Sequence, residues 1–203
     1  MIIQEDLGPI YPIMGPGSRA LVNAWLRRHH YLGPLPGWVY AAALRSPEND
    51  LVWDGVVVVG VPASYVLARR GYLEIRRLAL REGAPKNAGS YLSGHVKAVG
   101  RCPWGAERLV TYADPAAHGP RNCPGNEHRG TIYLAAGFRK DGMSKDHSRS
   151  SPGGSRRGRD AVYLHGHMGP KIRFVWKSPG HGIGSPAGGG IPLSTRPEEV
   201  VTA

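Results

Sequence analysis

The chain has 203 residues, enough for one domain with its own core, and carries a formal net charge of +11 with an isoelectric point near 10.1. Glycine and proline contribute 47 residues against a hydrophobic fraction of 41%, so part of the length is expected in loops or a loose tail. Two cysteines indicate no disulfide framework, no apolar run approaches the roughly 20 residues that span a bilayer, and the first residues lack the basic-then-apolar pattern of a signal peptide; the expectation is a cytoplasmic protein with an acidic partner, nucleic acid or an anionic cofactor.

Residues 1–14 read as a short strand or extended arm, broken by Gly15, Pro16 and Gly17. Ser18 is expected to cap a helix running to about Tyr31, with Leu21, Ala24 and Trp25 as its buried stripe. The helix closes on Arg27, Arg28, His29, His30 and Tyr31 before Gly33 and Pro34. Basic residues in a last turn suit the helix dipole; the functional alternative is that His30 and Tyr31 face a pocket. Residues 38–44 and 51–61 read as strands joined through Ser46, Pro47, Asn49 and Asp50. The run Val56, Val57, Val58, Val59 predicts a strand buried on both faces, and residues 62–70 a connector.

The organising stretch is residues 71–93. Leu73 and Ile75 point one way along a strand, and Tyr72, Glu74 and Arg76 the other. The phase then changes, with Arg77 on the face of Leu73 while Leu78 and Leu80 fall on the face of Glu74. One bulge near Arg76 and Arg77 restores the pattern. Gly83 and Pro85 mark a turn, Asn87 is expected as an N-cap, and Leu92, Val96 and Val99 follow at helical spacing. A strand that feeds a helix N-terminus through small residues makes an anion site, with Ser90 near it; the plain alternative is an ordinary strand-turn-helix with both arginines on the surface. Residues 108–112 read as a further buried strand ending in Ala113, Asp114 and Pro115. Asp114 is well placed for chemistry there, although Asp-Pro is also a turn signal.

His118, Cys123 and His128, with Cys102 in reach, are metal-ligand types, but their spacing matches no zinc motif and a metal is left open. Residues 131–138 read as a short helix. Residues 139–160 carry seven Lys or Arg against three Asp and are expected as a mobile basic loop whose Arg156, Arg157 and Arg159 contact nucleic-acid phosphates. Strand character resumes at 161–164 and 171–176, and 178–203 is expected as a disordered Gly/Pro-rich tail. Trp25, Trp38, Tyr40 and Trp104 are available as core or as stacking groups. The order of elements predicts an α/β or α+β domain over residues 1–177, with a mixed central sheet of six or seven strands. Neither a G-x-G-x-x-G nor a Walker loop is present.

That order resembles the GNAT-type acyltransferases, in which a bulged, splayed central strand leads through a pyrophosphate loop into a helix and acyl-CoA binds. Here Arg81 to Gly89 stand at the loop's place, and Gly137 and Phe138 resemble the end of the family's final helix. A narrower resemblance is to the phage Mom DNA-modification proteins. It is carried by His30-Tyr31-Leu32-Gly33, Leu73-Glu74-Ile75-Arg76-Arg77-Leu78, Asn87 with Ser90, Tyr112-Ala113-Asp114-Pro115, His128 to Tyr133, and Pro170-Lys171-Ile172-Arg173-Phe174. It covers about residues 18–176, with an insertion-like stretch at 116–127. This resemblance implies a transferase that converts adenine N6 in double-stranded or locally unpaired DNA to N6-carbamoylmethyladenine, shielding phage DNA from restriction in the host cytoplasm. It implies His30, Tyr31 and Asp114 in catalysis, Arg77, Asn87 and Ser90 at the donor, and Arg76, Arg156, Arg157, Arg159, Lys171 and Arg173 toward DNA. Two alternatives stand beside it: an acyl-CoA-dependent acyltransferase acting on a small amine or protein, and a non-catalytic nucleic-acid-binding module.

Overall fold

The computed structural model describes residues 7–30, 32–99, 108–115, 129–144 and 170–178. Its elements, in chain order, are β1 (Ile10–Pro12), α1 (Ser18–His29), β2 (Tyr40–Arg45), β3 (Trp53–Gly60), α2 (Tyr65–Arg69), β4 (Tyr72–Leu80), α3 (Ala88–Val99), β5 (Arg108–Ala113), α4 (Thr131–Ala135), β6 (Arg139–Met143) and β7 (Ile172–Lys177). The seven strands form one sheet in the order β1-β2-β3-β4-β5-β7-β6. All neighbours are antiparallel except β4 and β5, which run parallel across the α3 connection.

The sheet is buried on both faces at its centre because β2 and β3 offer small or β-branched side chains to two helical layers. On one face Ala42, Leu44, Val57, Val59, Leu73 and Ile75 meet Ala88, Leu92 and Val96 of α3 and Tyr133 of α4. On the other, Ala41, Ala43, Val56, Val58 and Ala79 meet Val22 and Leu26 of α1 and Leu35 beyond it. Complete burial of Leu26 and of Leu92 contributes about 1.5–3 kcal/mol each.

The predicted bulge is present. Val58 pairs with Arg77 and Val59 with Ile75, so Arg76 is the extra residue of β4. Leu78 and Leu80 thereby join Leu73 and Ile75 on the α3 face, while Ala79 turns to α1. β4 pairs with β5 only from Tyr72 to Ile75. Beyond that point β4 keeps β3 as its neighbour, and the end of β5 keeps β7. The sheet therefore forks between the second half of β4 and the end of β5.

Several expectations are corrected. Ser18 is the first helical residue; Gly17 is the cap, with a left-handed φ of 78° and no side-chain hydrogen bond. The buried stripe of α1 is Val22 and Leu26, whereas Leu21 is exposed. Trp25 of the expected stripe packs partly buried beside Val22 and Leu26. The Asn23 side chain, between these residues, bonds the backbone of Leu35 through both its amide and its carbonyl, at 2.9 Å each, and so joins this part of α1 to the following turn. The connector at 62–70 contains α2. Residues 139–143 of the expected basic loop form β6, an exposed edge strand on which charged side chains discourage pairing with another chain. Residues 1–6, the strand expected at 161–164, the rest of the basic stretch from 145, the 116–128 segment with its His and Cys, and 179–203 lie outside the described residues.

Gly130 caps α4 with φ 74°, and an added Cβ would overlap the Phe174 ring and stand 3.2 Å from Ala113 Cβ. Gly130→Ala should therefore cost about 2–4 kcal/mol in urea unfolding, from overpacking plus a strained φ. At the margin of the core, the Tyr40 hydroxyl and the half-buried His95 Nε2 are 2.8 Å apart, and burial lowers the His95 pKa from its ordinary 6.5. The unfolded chain then takes the proton first, so this stability is complete above about pH 6.5 and declines as pH falls through that value. Thermal melts should show a lower midpoint at pH 5.5 than at 7.5, with the difference reduced in His95→Gln.

Candidate active site

The fork is lined by polar groups although it lies beside the core. Ile75 is the last β4 residue paired to β5, opposite Thr111. Thr111 Oγ1 donates to Ile75 O at 3.4 Å, and the Tyr133 side chain is hydrogen-bonded to Thr111. Tyr133 is fully enclosed, and burial raises its pKa above 10. A phenol is thus fixed where the two strands part, carried there by α4, which Gly130 starts and packing against Phe138 and Phe174 orients.

The bulge leaves the Arg76 carbonyl out of the regular ladder. Arg77 Nη1 donates to that oxygen at 2.7 Å, and Arg77 Nε donates to Gly33 O at 3.2 Å in the turn after α1. The same turn receives the Asn23 bonds, and the Leu32 N–H donates to His30 Nδ1 at 3.0 Å. Because Nδ1 is the acceptor, a neutral His30 carries its proton on Nε2 and can donate there but not accept.

Glu74 stands one residue before the end of β4–β5 pairing, on the α1 face. Burial raises its pKa above 4.5, offset in part by the Ala63 N–H, which donates to Oε2 at 3.0 Å, and by the charges of Arg76, Arg77 and Lys171. Asp114, 1% exposed, follows β5, with Lys171 Nζ 3.9 Å from its Oδ2. Tyr112 is half-enclosed; burial and then the Glu74 charge raise its pKa. Arg173 is engaged with Asp141, donating from Nε to Oδ2 at 2.9 Å and from Nη2 to the backbone oxygen at 3.0 Å. Arg76, Arg77 and Lys171 of the expected set therefore gather around Glu74, and Lys171 links Asp114 to them.

Asn87 and Ser90 stand apart from this group, at the start of α3. Asn87 has a left-handed φ of 69°, and its carbonyl accepts from Ser90 Oγ at 2.9 Å and from the Tyr91 N–H. The loop before them begins at Arg81, whose Nε donates to Asp54 Oδ1 at 2.6 Å and whose Nη1 donates to Glu82 O. Asp54 is completely buried, so it fixes a half-exposed guanidinium at the mouth of the loop. Tyr31, Arg156, Arg157 and Arg159 lie outside the described residues. No cluster of three metal-ligating side chains occurs among the described residues, and none of the described helices is long and apolar enough to cross a membrane.

Glu74, Thr111, Tyr133 and the Asp54–Arg81 pair were not singled out from sequence. Glu74 had a signal, being the one acid in the central strand, two and three residues before its two arginines. Tyr133 had one too, in a helix directly followed by Gly137-Phe138. The Asp54–Arg81 pair had none.

No protein-family model matches the sequence, and no curated protein matches it. The fold has solved counterparts. An Arabidopsis thaliana NAA60 in complex with acetyl-CoA shares 12% identity over 83% of this chain and 97% of its own, with a TM-score of 0.55. An agmatine N-acetyltransferase in its apo form shares 11% identity over 83% and 99%, with a TM-score of 0.51. With its parallel β4 and β5 parting at a bulge and α3 joining them, the chain has the fold of the GNAT acetyltransferases.

Proposed function

We propose that the protein is an N-acyltransferase that takes its acyl group from a coenzyme A thioester bound in the fork between β4 and β5. The observation that carries this reading is the fork itself, a slot opened by the Arg76 bulge with Tyr133 at its base and Glu74 beside it. The residues at its mouth fit a diphosphate through Arg81 and the first turn of α3 rather than through a ring of loop amides. Pro85 has no N–H, and the N–H groups of Ala84 and Ala88 are used on Arg81 O and Pro85 O within the loop.

A thioester supplies an acyl carbon open to attack by an amine and a thiolate that can leave. Glu74, with its pKa raised by burial, accepts the amine proton as the new C–N bond forms, and Asp114 is the second carboxylate available. The Tyr133 hydroxyl, held on Thr111 at the base of the fork, is the group that would exchange that bond to donate to the departing sulfur. His30 contributes through its Nε2–H as a hydrogen-bond donor.

A second reading, modification of adenine N6 in DNA, is favoured by the net charge of +11 and by Arg76, Lys171 and Arg173 lying around the same acids. In that reading Tyr31 and Asp114 act on a flipped base, and Arg156, Arg157 and Arg159 bind phosphates. The donor there is a thioester or another activated acyl-type group.

Calorimetry with coenzyme A tests the first reading. Binding is expected, with Arg81→Ala weakening it about tenfold through loss of one charge-assisted contact; no binding by the unmutated protein would refute the donor site. Glu74→Gln should lower kcat about a hundredfold and remove the acid limb of its pH profile, a limb expected above pH 4.5. Nucleoside mass spectrometry of DNA from expressing cells separates the readings, since a modified adenine appears only in the second. There, replacing Arg156, Arg157 and Arg159 with alanine should reduce the salt slope of DNA binding by about 3.

A further inference from the structure

We infer that Arg77 is a positioning residue that ties the turn after α1 to the bulge of β4, and that it serves the acceptor side of the fork rather than the donor phosphates. The kinetic part of this inference rests on the acyl-transfer reading above; the structural part does not.

The bulge decides the side on which Arg77 lies. Without it Arg77 would share the face of Leu73 and Ile75 and point toward α3. With Arg76 as the extra residue, Arg77 pairs with Val58 and turns to the α1 face, where Val56, Val58 and Ala79 pack against Val22 and Leu26. The start of α3 lies beyond the end of β4, and the helix packs on the opposite face. Leu80 lies three positions after Arg77, about 10 Å along the strand. The guanidinium is thus on the wrong face, and too far back along the strand, for a phosphate at Ser90.

What it holds instead are two backbone carbonyls, Arg76 O in the bulge and Gly33 O in the turn. A guanidinium can serve both at once because its donors form a rigid fork; an ammonium is a single point. The turn is also fixed from the helix side by Asn23 on Leu35 and by His30 on Leu32. Arg77 is the link from that turn to β4. Glu74 lies on the same face and feels the Arg77 charge. An amine must reach Glu74 to lose its proton, so it arrives on the side that this turn borders.

The test uses Arg77→Lys, which keeps charge and apolar stem, and Arg77→Gln as a second variant. Amide hydrogen exchange at Leu32, Gly33 and Leu35 is expected to quicken about tenfold in both. Coenzyme A affinity should stay within about twofold, and thiol release from acetyl-CoA with spermidine as probe amine should lose about tenfold in kcat with the KM for acetyl-CoA within about twofold. Asn23→Ala loosens the same turn from the α1 end and should give the same split; an unchanged kcat there refutes the role of the turn. Unchanged exchange in the Arg77 variants overturns the tie, whatever coenzyme A does. A tenfold loss of coenzyme A affinity with unchanged exchange makes Arg77 a phosphate ligand and also overturns the inference. If the unmutated protein does not bind coenzyme A, the donor reading falls while hydrogen exchange still decides the tie.

Discussion

One extra residue in one strand shapes this molecule. A regular β4 would pair with β3 and β5 along its whole length, and the sheet would close. Arg76 shifts the register against β3, and pairing with β5 stops at Ile75. Backbone groups taken out of a ladder must find other partners or carry a desolvation cost of about 1–3 kcal/mol each. Here the replacements come from side chains. Arg77 bonds the Arg76 carbonyl, and Thr111 bonds that of Ile75. The fork is therefore built from hydrogen-bonded polar groups, and the two faces of the sheet on which it opens meet different helical layers.

The layers explain the division of labour. On the α3 side the core is mostly apolar, and the polar groups in it are few: Ser93, Thr111 and the Tyr133 hydroxyl that Thr111 meets. On the α1 side, charged groups of both signs lie together: Glu74, Asp114 and Asp141 among Arg76, Arg77, Lys171 and Arg173. Burial alone favours the neutral form of Glu74, and the neighbouring cations favour the charged form; burial is the larger effect. A carboxyl poised by opposing influences of this kind suits proton transfer.

The mouth of the fork follows a different economy. Pro85 and the internal bonds of Ala84 and Ala88 remove loop amides from use on a ligand. In the donor reading proposed above, Arg81 supplies charge in their stead. Its position depends on Asp54, a completely buried acid in β3 whose second oxygen, Oδ2, has no hydrogen bond among the described residues. Such a pair is poor evidence for stability, because desolvation offsets most of its attraction; its value lies in holding one cation in one place.

What the sequence by itself determined was the part written in short periods. The β-branched run at Val56–Val59 specified a strand covered on both faces, Leu92 and Val96 specified the buried side of α3, and the phase change at Arg76 and Arg77 specified a bulge. These are local properties, since a strand repeats every two residues and a helix every 3.6. In α1 the period was legible but its phase was not. Of the expected stripe Leu21, Ala24 and Trp25 only Trp25 packs on the core, beside Val22 and Leu26; packing against the sheet and the bonds from Asn23 to Leu35 go with that phase. In the stretch expected as a basic loop, the pairing of Arg139–Met143 with β7 overrode a composition that reads as irregular. The tertiary structure alone decided that β4 pairs with β5 for four residues, that Thr111 meets Tyr133, and that Asp54 meets Arg81 across 27 positions. The periodicity of a strand says which face a side chain takes, but not which strand lies beside it. The site is made where two strands cease to be neighbours.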